Sequence, residues 1–63
     1  MKWYLFLIEV NLTPPMNQLA AQVVGSYPDR ATADADGAAL CAILNKPEHV
    51  APDRKIVWAC ALF

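Results

Sequence analysis

Two cysteines, Cys41 and Cys60, and a single histidine, His49, are the side chains here whose types could do chemistry. A thiol becomes a nucleophile when a base lies within hydrogen-bond reach and the sulfur is partly exposed. Both cysteines sit in apolar stretches, and His49 lies in a loop between Pro47 and Pro52, so no such pair is expected. A structural zinc site takes about four ligands, and this chain has no CxxC spacing to begin one. Thr32-Ala33-Asp34-Ala35-Asp36-Gly37 resembles the middle of a calcium loop. Such a loop needs a bidentate Glu at its twelfth position, where Ile43 stands. Asp29, Asp34, Asp36 and Glu48 could supply paired carboxylates, but no pocket is implied around them. Gly25 and Gly37 are the only glycines, so no glycine-rich phosphate loop exists. The expectation is a chain with no catalytic residue, no cofactor and no metal.

Whatever these residues do, four elements must position them. Residues 3–12 read as a strand rich in aromatic and β-branched residues. Its even side, Tyr4, Phe6, Ile8, Val10 and Leu12, is wholly apolar. Its odd side begins with Trp3, Leu5 and Leu7 and turns polar at Glu9 and Asn11. Pro14 and Pro15 end it, since proline gives no ladder donor. Residues 18–25 alternate as an amphipathic edge strand, and Gly25 to Asp29 breaks the pattern. Thr32 suits a helix N-cap, with Asp34 and Asp36 near the positive end of the helix dipole. The helix should run from Ala33 to Leu44, with Asn45 taking the left-handed terminal position and Pro47 forbidding continuation. Ala33, Gly37, Leu40 and Leu44 form its apolar stripe, and Ala35, Ala38, Ala39 and Ala42 form a bare opposite face. Lys55 to Phe63 is the last strand, apolar on both sides.

The order β-β-α-β predicts an α+β fold in one domain, residues 1–63. Its three-stranded antiparallel or mixed sheet should have the order 2-1-3, with the doubly apolar first strand central and the helix on one face. The expected packed face holds Tyr4, Phe6, Ile8, Val10, Leu19, Val23, Ile56, Trp58 and Leu62. The other face, with Trp3, Leu5, Leu7, Val24, Val57, Ala59, Ala61 and Phe63, should lie open.

Composition sharpens this. In 63 residues, 57% are hydrophobic, 17% are charged and the net charge is −1. That excludes disorder, which needs low hydrophobicity and high charge. Lys2, Arg30, Lys46, Arg54 and Lys55 are scattered, so no broad cationic surface for nucleic acid is expected. The apolar run from Trp3 to Ile8 stops at Glu9, short of a signal peptide, and no window approaches the ~20 apolar residues of a membrane span. Asn11-Leu12-Thr13 is a glycosylation sequon, though Pro14 follows it directly.

An N-terminal Met1-Lys2-Trp3-Tyr4-Leu5 strand, a Val24-Gly25-Ser26-Tyr27 element, an Ala-rich helix carrying Cys41 and a closing Trp58-Ala59-Cys60 strand together resemble short accessory proteins of tailed bacteriophages. The resemblance covers most of the chain and implies a protein of the host bacterium's cytoplasm that binds, and inhibits or redirects, a host protein. The reading is a non-enzymatic interaction module that also self-associates, as a dimer. Its candidate interfaces are the sheet face at Trp3, Leu5, Leu7, Val57, Ala59 and Phe63, or the helix face at Ala35, Ala38, Ala39 and Ala42. The alternative is a secreted or envelope-associated structural peptide held by a Cys41–Cys60 disulfide.

Overall fold

In a computed structural model that describes residues 1–15 and 17–63, the apolar runs become three strands and one helix. These are β1 (Trp3–Asn11), β2 (Gln18–Tyr27), α1 (Arg30–Leu44) and β3 (Arg54–Leu62). The sheet has the order β2-β1-β3, and β1 pairs antiparallel with both neighbours. The fold is α+β, with the doubly apolar strand at the centre.

The two pairings differ. β1 and β3 run opposite one another without interruption from Trp3↔Leu62 to Asn11↔Arg54. The β1–β2 register shifts twice, between Leu5 and Phe6 and between Glu9 and Val10. β2 therefore continues past Gly25, where the sequence suggested a break: Gly25, Ser26 and Tyr27 still pair with Leu5, Tyr4 and Trp3. A strand glycine beside a bulge is a usual arrangement.

The helix starts one turn earlier than Thr32. Asp29 is the N-cap, in extended conformation (φ −145°, ψ 162°), and its carboxylate accepts the Thr32 backbone N–H at 2.8 Å and the Thr32 hydroxyl at 2.9 Å. Asp34 and Asp36 thus fall beyond the first turn, and the first turn holds no acid. At the other end Asn45 caps with φ −83° rather than in the left-handed region, its N–H donating to the Cys41 carbonyl at 2.9 Å. Its side chain closes a double hydrogen bond on β3: the amide Nδ2 donates to the Ile56 carbonyl at 2.8 Å, and Oδ1 accepts the Ile56 N–H at 2.7 Å.

The helix covers the side of β1 opposite to the expected one. Leu5 is fully buried, together with Ala33, Gly37 and Cys41 of the helix. Leu5 faces the same side as Cys60 and Gly25, and Leu7 the same side as Trp58 and Gln22. The packed face is therefore Trp3, Leu5, Leu7 and Glu9 of β1 with Ile56, Trp58, Cys60 and Leu62 of β3. The β3 residues match expectation and the β1 residues are reversed. Glu9 is tolerated on that side because Arg54 meets it there at 3.8 Å, at the rim.

Gly37 sets the distance between helix and sheet. A Cβ at this position would stand 2.4 Å from Cδ1 and 2.5 Å from Cγ of the Trp58 indole, and 3.0 Å from Cδ1 of Leu5. At Gly25 an added Cβ meets nothing within 4 Å, and neither glycine has positive φ. The two glycines should respond oppositely to alanine. Gly37→Ala gains helix propensity but overpacks the indole and Leu5, and is expected to cost about 1–2 kcal/mol net. Gly25→Ala loses only unfolded-chain freedom, and is expected to stabilise by about 0.5 kcal/mol. Thermal unfolding of the two variants checks both signs; equal shifts would contradict the packing described.

Candidate functional site

The residues that could have carried chemistry are drawn into structural roles. Cys60 donates its thiol proton to Asp34 Oδ1 at 3.1 Å, and the Trp58 indole N–H approaches the same oxygen at 3.4 Å. Arg30 meets the other oxygen of Asp34 at 3.4 Å, and its guanidinium lies 5.7 Å from the centre of the Trp3 ring. Helix, central strand and β3 are thereby tied at one end of the packed face. Burial pushes the Cys60 thiol above its ordinary value, and the Asp34 carboxylate pushes it further. Burial does the same to Cys41, against a small opposing effect of Lys55. Both cysteines are thus held as thiols, the less nucleophilic form.

Both thiols are free. Asp34, the partner of Cys60, lies seven residues before Cys41 on the same helix, or about 10 Å of axial rise. A disulfide needs Cβ atoms roughly 3.5–4.5 Å apart. The Cys41–Cys60 bond of the alternative reading is therefore not made in this fold. His49 is exposed in a turn, where its N–H donates to the Lys46 carbonyl at 2.9 Å. The calcium-loop resemblance ends in the helix, which runs unbroken through Thr32–Ile43. Among the described residues no group of three His, Cys, Asp or Glu side chains could hold a metal ion. No helix among them is long and apolar enough to cross a membrane.

The open sheet face is the largest feature these residues leave unexplained. On β1 it presents Tyr4, Phe6, Ile8 and Val10. Their cross-strand partners are Ala61, Ala59, Val57 and Lys55 on β3, and Ser26, Val23, Ala21 and Gln18 on β2. Phe63 closes one end with its ring edge-on to Tyr4 (5.9 Å, 68°) and Phe6 (6.4 Å, 70°). Val23 is 52% and Phe63 67% exposed. Ser26, Lys55 and Gln18 form a polar border around an apolar centre.

Of the expected interface residues, Val57, Ala59 and Phe63 do lie on this face. Trp3, Leu5 and Leu7 do not: they are under the helix, and Leu5 has no exposure at all. Tyr4, Phe6, Ile8 and Val10 take their place. Ala35, Ala38, Ala39 and Ala42 are exposed on the helix, as expected. A shallow groove of ≈ 180 Å³ between Leu44, Leu7 and Gln22 marks where the helix leaves β2 uncovered.

The two capping and bridging carboxylates give the fold an acid limit. Hydrogen bonds from Thr32 hold Asp29 below the ordinary carboxylate value, and the bond from Cys60, followed by Trp58 and Arg30, does so for Asp34 against opposing desolvation. Each group binds a proton more readily in the unfolded chain. The stabilisation is complete above about pH 5 and is lost as the pH falls through the depressed folded values, below about 4. The melting temperature should therefore drop on acidification from pH 5 to pH 2, and the drop should be shallower in Asp34→Asn. An unchanged slope in that variant would mean that Asp34 is unpaired in solution.

No family model, no curated protein and no solved structure matches this chain, so its function has to be argued from its own geometry.

Proposed function

We propose that this chain is a non-enzymatic protein–protein interaction module whose contact surface is the open face of the sheet. The observation that carries the reading is the apolar centre formed by Tyr4, Phe6, Ile8, Val57, Ala59 and Phe63 within a polar border. Soluble monomers rarely expose contiguous apolar patches beyond a few hundred square ångströms, and larger ones with a polar rim mark interaction sites. Aromatic residues at the centre of such a patch are the usual energetic anchors. The resemblance to small phage proteins supports a host protein of the bacterial cytoplasm as the partner, which the module would inhibit or redirect. The thiols, each held protonated, support a role that uses no nucleophile.

Phe6→Glu tests the reading, because its side chain lies at the centre of the open face and its backbone pairing is independent of the side chain. Tagged wild-type protein should retain a specific protein from a bacterial lysate, and the variant should lose it by at least about tenfold, equivalent to 1.4 kcal/mol. Ala39→Glu, on the exposed helix, should leave capture unchanged. Equal capture by Phe6→Glu, or loss only with Ala39→Glu, would move the contact to the helix.

A further inference from the structure

The sheet has two edges, and they are not equivalent. β2 is bulged twice, and its register shifts bend it away from a flat ladder. Bulges, charges and prolines are the usual means of keeping an edge from pairing with another chain. β3 has its only charges, Arg54 and Lys55, at its start: its register with β1 is unbroken over nine pairs, and no charge or proline occurs from Ile56 to Phe63.

The register also fixes which backbone groups point outward. Lys2 and Phe63 exchange both of their hydrogen bonds, at 2.8 and 3.0 Å. Alternation then turns the N–H and C=O groups of Ala61, Ala59 and Val57 toward β1, and those of Leu62, Cys60, Trp58 and Ile56 away from it. Ile56 is satisfied by the Asn45 amide. Trp58, Cys60 and Leu62 have no backbone partner on that side among the described residues.

We propose that this edge pairs antiparallel with the same edge of a second copy of the chain, about a two-fold axis at Cys60. Three outward residues centred on Cys60 are self-complementary: Cys60 meets its own copy, and Trp58 meets Leu62 of the partner copy in both directions. All six outward N–H groups are then matched, and Ala59 faces Ala61 of the other copy. Asn45 stops the ladder at Ile56 on both sides, so a register shifted toward Arg54 and Lys55 is blocked. No like charges face each other among the paired strand residues. Trp58 and Leu62, 40% and 44% exposed, supply the apolar surface that is covered.

A second copy fits better than a foreign strand because of what lies above the edge. The helix lies over β1 and β3 more than over β2. Asp34 and Asn45, which bond to β3, mark the flank that overhangs it, and Asp36, whose carboxylate raises the Tyr27 pKa, marks the opposite flank. At 100° per residue, the β3 flank also carries Ala31 and Ala38, with Ala42 at its upper edge. Pairing two edges places the two helices on the same side of one six-stranded sheet, about two strand spacings or roughly 10 Å apart. That is a helix–helix packing distance, and alanines permit it. Each Asp34 near the axis brings its own Arg30 counter-ion. The two open faces merge into one, but the pairing does not depend on what that face binds.

Amide exchange by NMR together with light scattering tests the pairing. The wild type should have the mass of a dimer, and the Trp58, Cys60 and Leu62 amides should be at least about tenfold better protected at ~1 mM than at ~50 μM. The Val57, Ala59 and Ala61 amides should be protected at both concentrations. Leu62→Pro removes an outward N–H and no bond to β1, so it should give a folded monomer; Leu62→Lys, which needs no backbone change, should do the same. A monomer at ~1 mM would overturn the pairing while leaving the face reading intact. A dimer whose Trp58, Cys60 and Leu62 amides exchange freely, and which Phe6→Glu dissociates, would also overturn it and put self-association on the open face.

Discussion

The approach of the helix to the sheet at Gly37 is the constraint on which the rest of this structure depends. Among the described residues Leu5 is the one large side chain that is completely buried, and it is buried because the helix comes close enough to cover it. That closeness exists because residue 37 has no Cβ to hold off the Trp58 ring. Ala33 and Cys41, one turn to either side, continue the same narrow stripe. A helix with larger residues there would ride higher and leave Leu5 partly wet. In a chain that buries so few side chains completely, one such contact is a substantial share of the core.

The same geometry explains why the polar groups are placed where they are. A thin core leaves the rims of the packed face open to water, and each rim is tied by side-chain hydrogen bonds. Asp34 gathers Cys60, Trp58 and Arg30 at one end, and Asn45 holds Ile56 at the other. These contacts hold the helix over β1 and β3 and away from β2. The thiol of Cys60 is therefore a structural donor, and the proximity of a carboxylate suppresses its reactivity in the same step.

The element order, the antiparallel β1–β2 hairpin and the central place of β1 were legible, because proline pairs, periodicity and double-sided apolarity are local or nearly local signals, whereas the direction of β3 was left open between antiparallel and mixed. The face was not. With Tyr4, Phe6 and Ile8 on one side and Trp3, Leu5 and Leu7 on the other, the pattern of β1 is almost balanced. Glu9 and Asn11 pointed to the wrong side as solvent-facing. What decided the matter is register: β3 pairs so that Trp58 lies beside Leu7, and Gly37 must sit over Trp58. Register depends on loop geometry and long-range packing, neither of which leaves a mark in the periodicity of one strand. The helix start was missed for a more local reason: both Asp29 and Thr32 are good caps, and the carboxylate of the first binds the second. The edge was not legible either, since outward and inward N–H groups are distinguished only once a neighbour is known.

An excess of apolar residues in a short chain would ordinarily enlarge the core, but one helix can cover only one side of a sheet. The surplus is therefore displaced to the second face and to the edge of β3, and the two have different consequences. A face made of side chains can be covered by any surface of matching shape, so under the proposed function its specificity rests on the arrangement of Tyr4, Phe6 and Phe63. An edge made of backbone groups is matched by any strand, so its specificity must come from what limits the pairing. Here the limits are Asn45, which fixes where a ladder can end, and the helix flank, which admits only a neighbour that fits beside alanines. The side chain that anchors the helix to its own sheet thus also defines the length of the strand edge left for another chain.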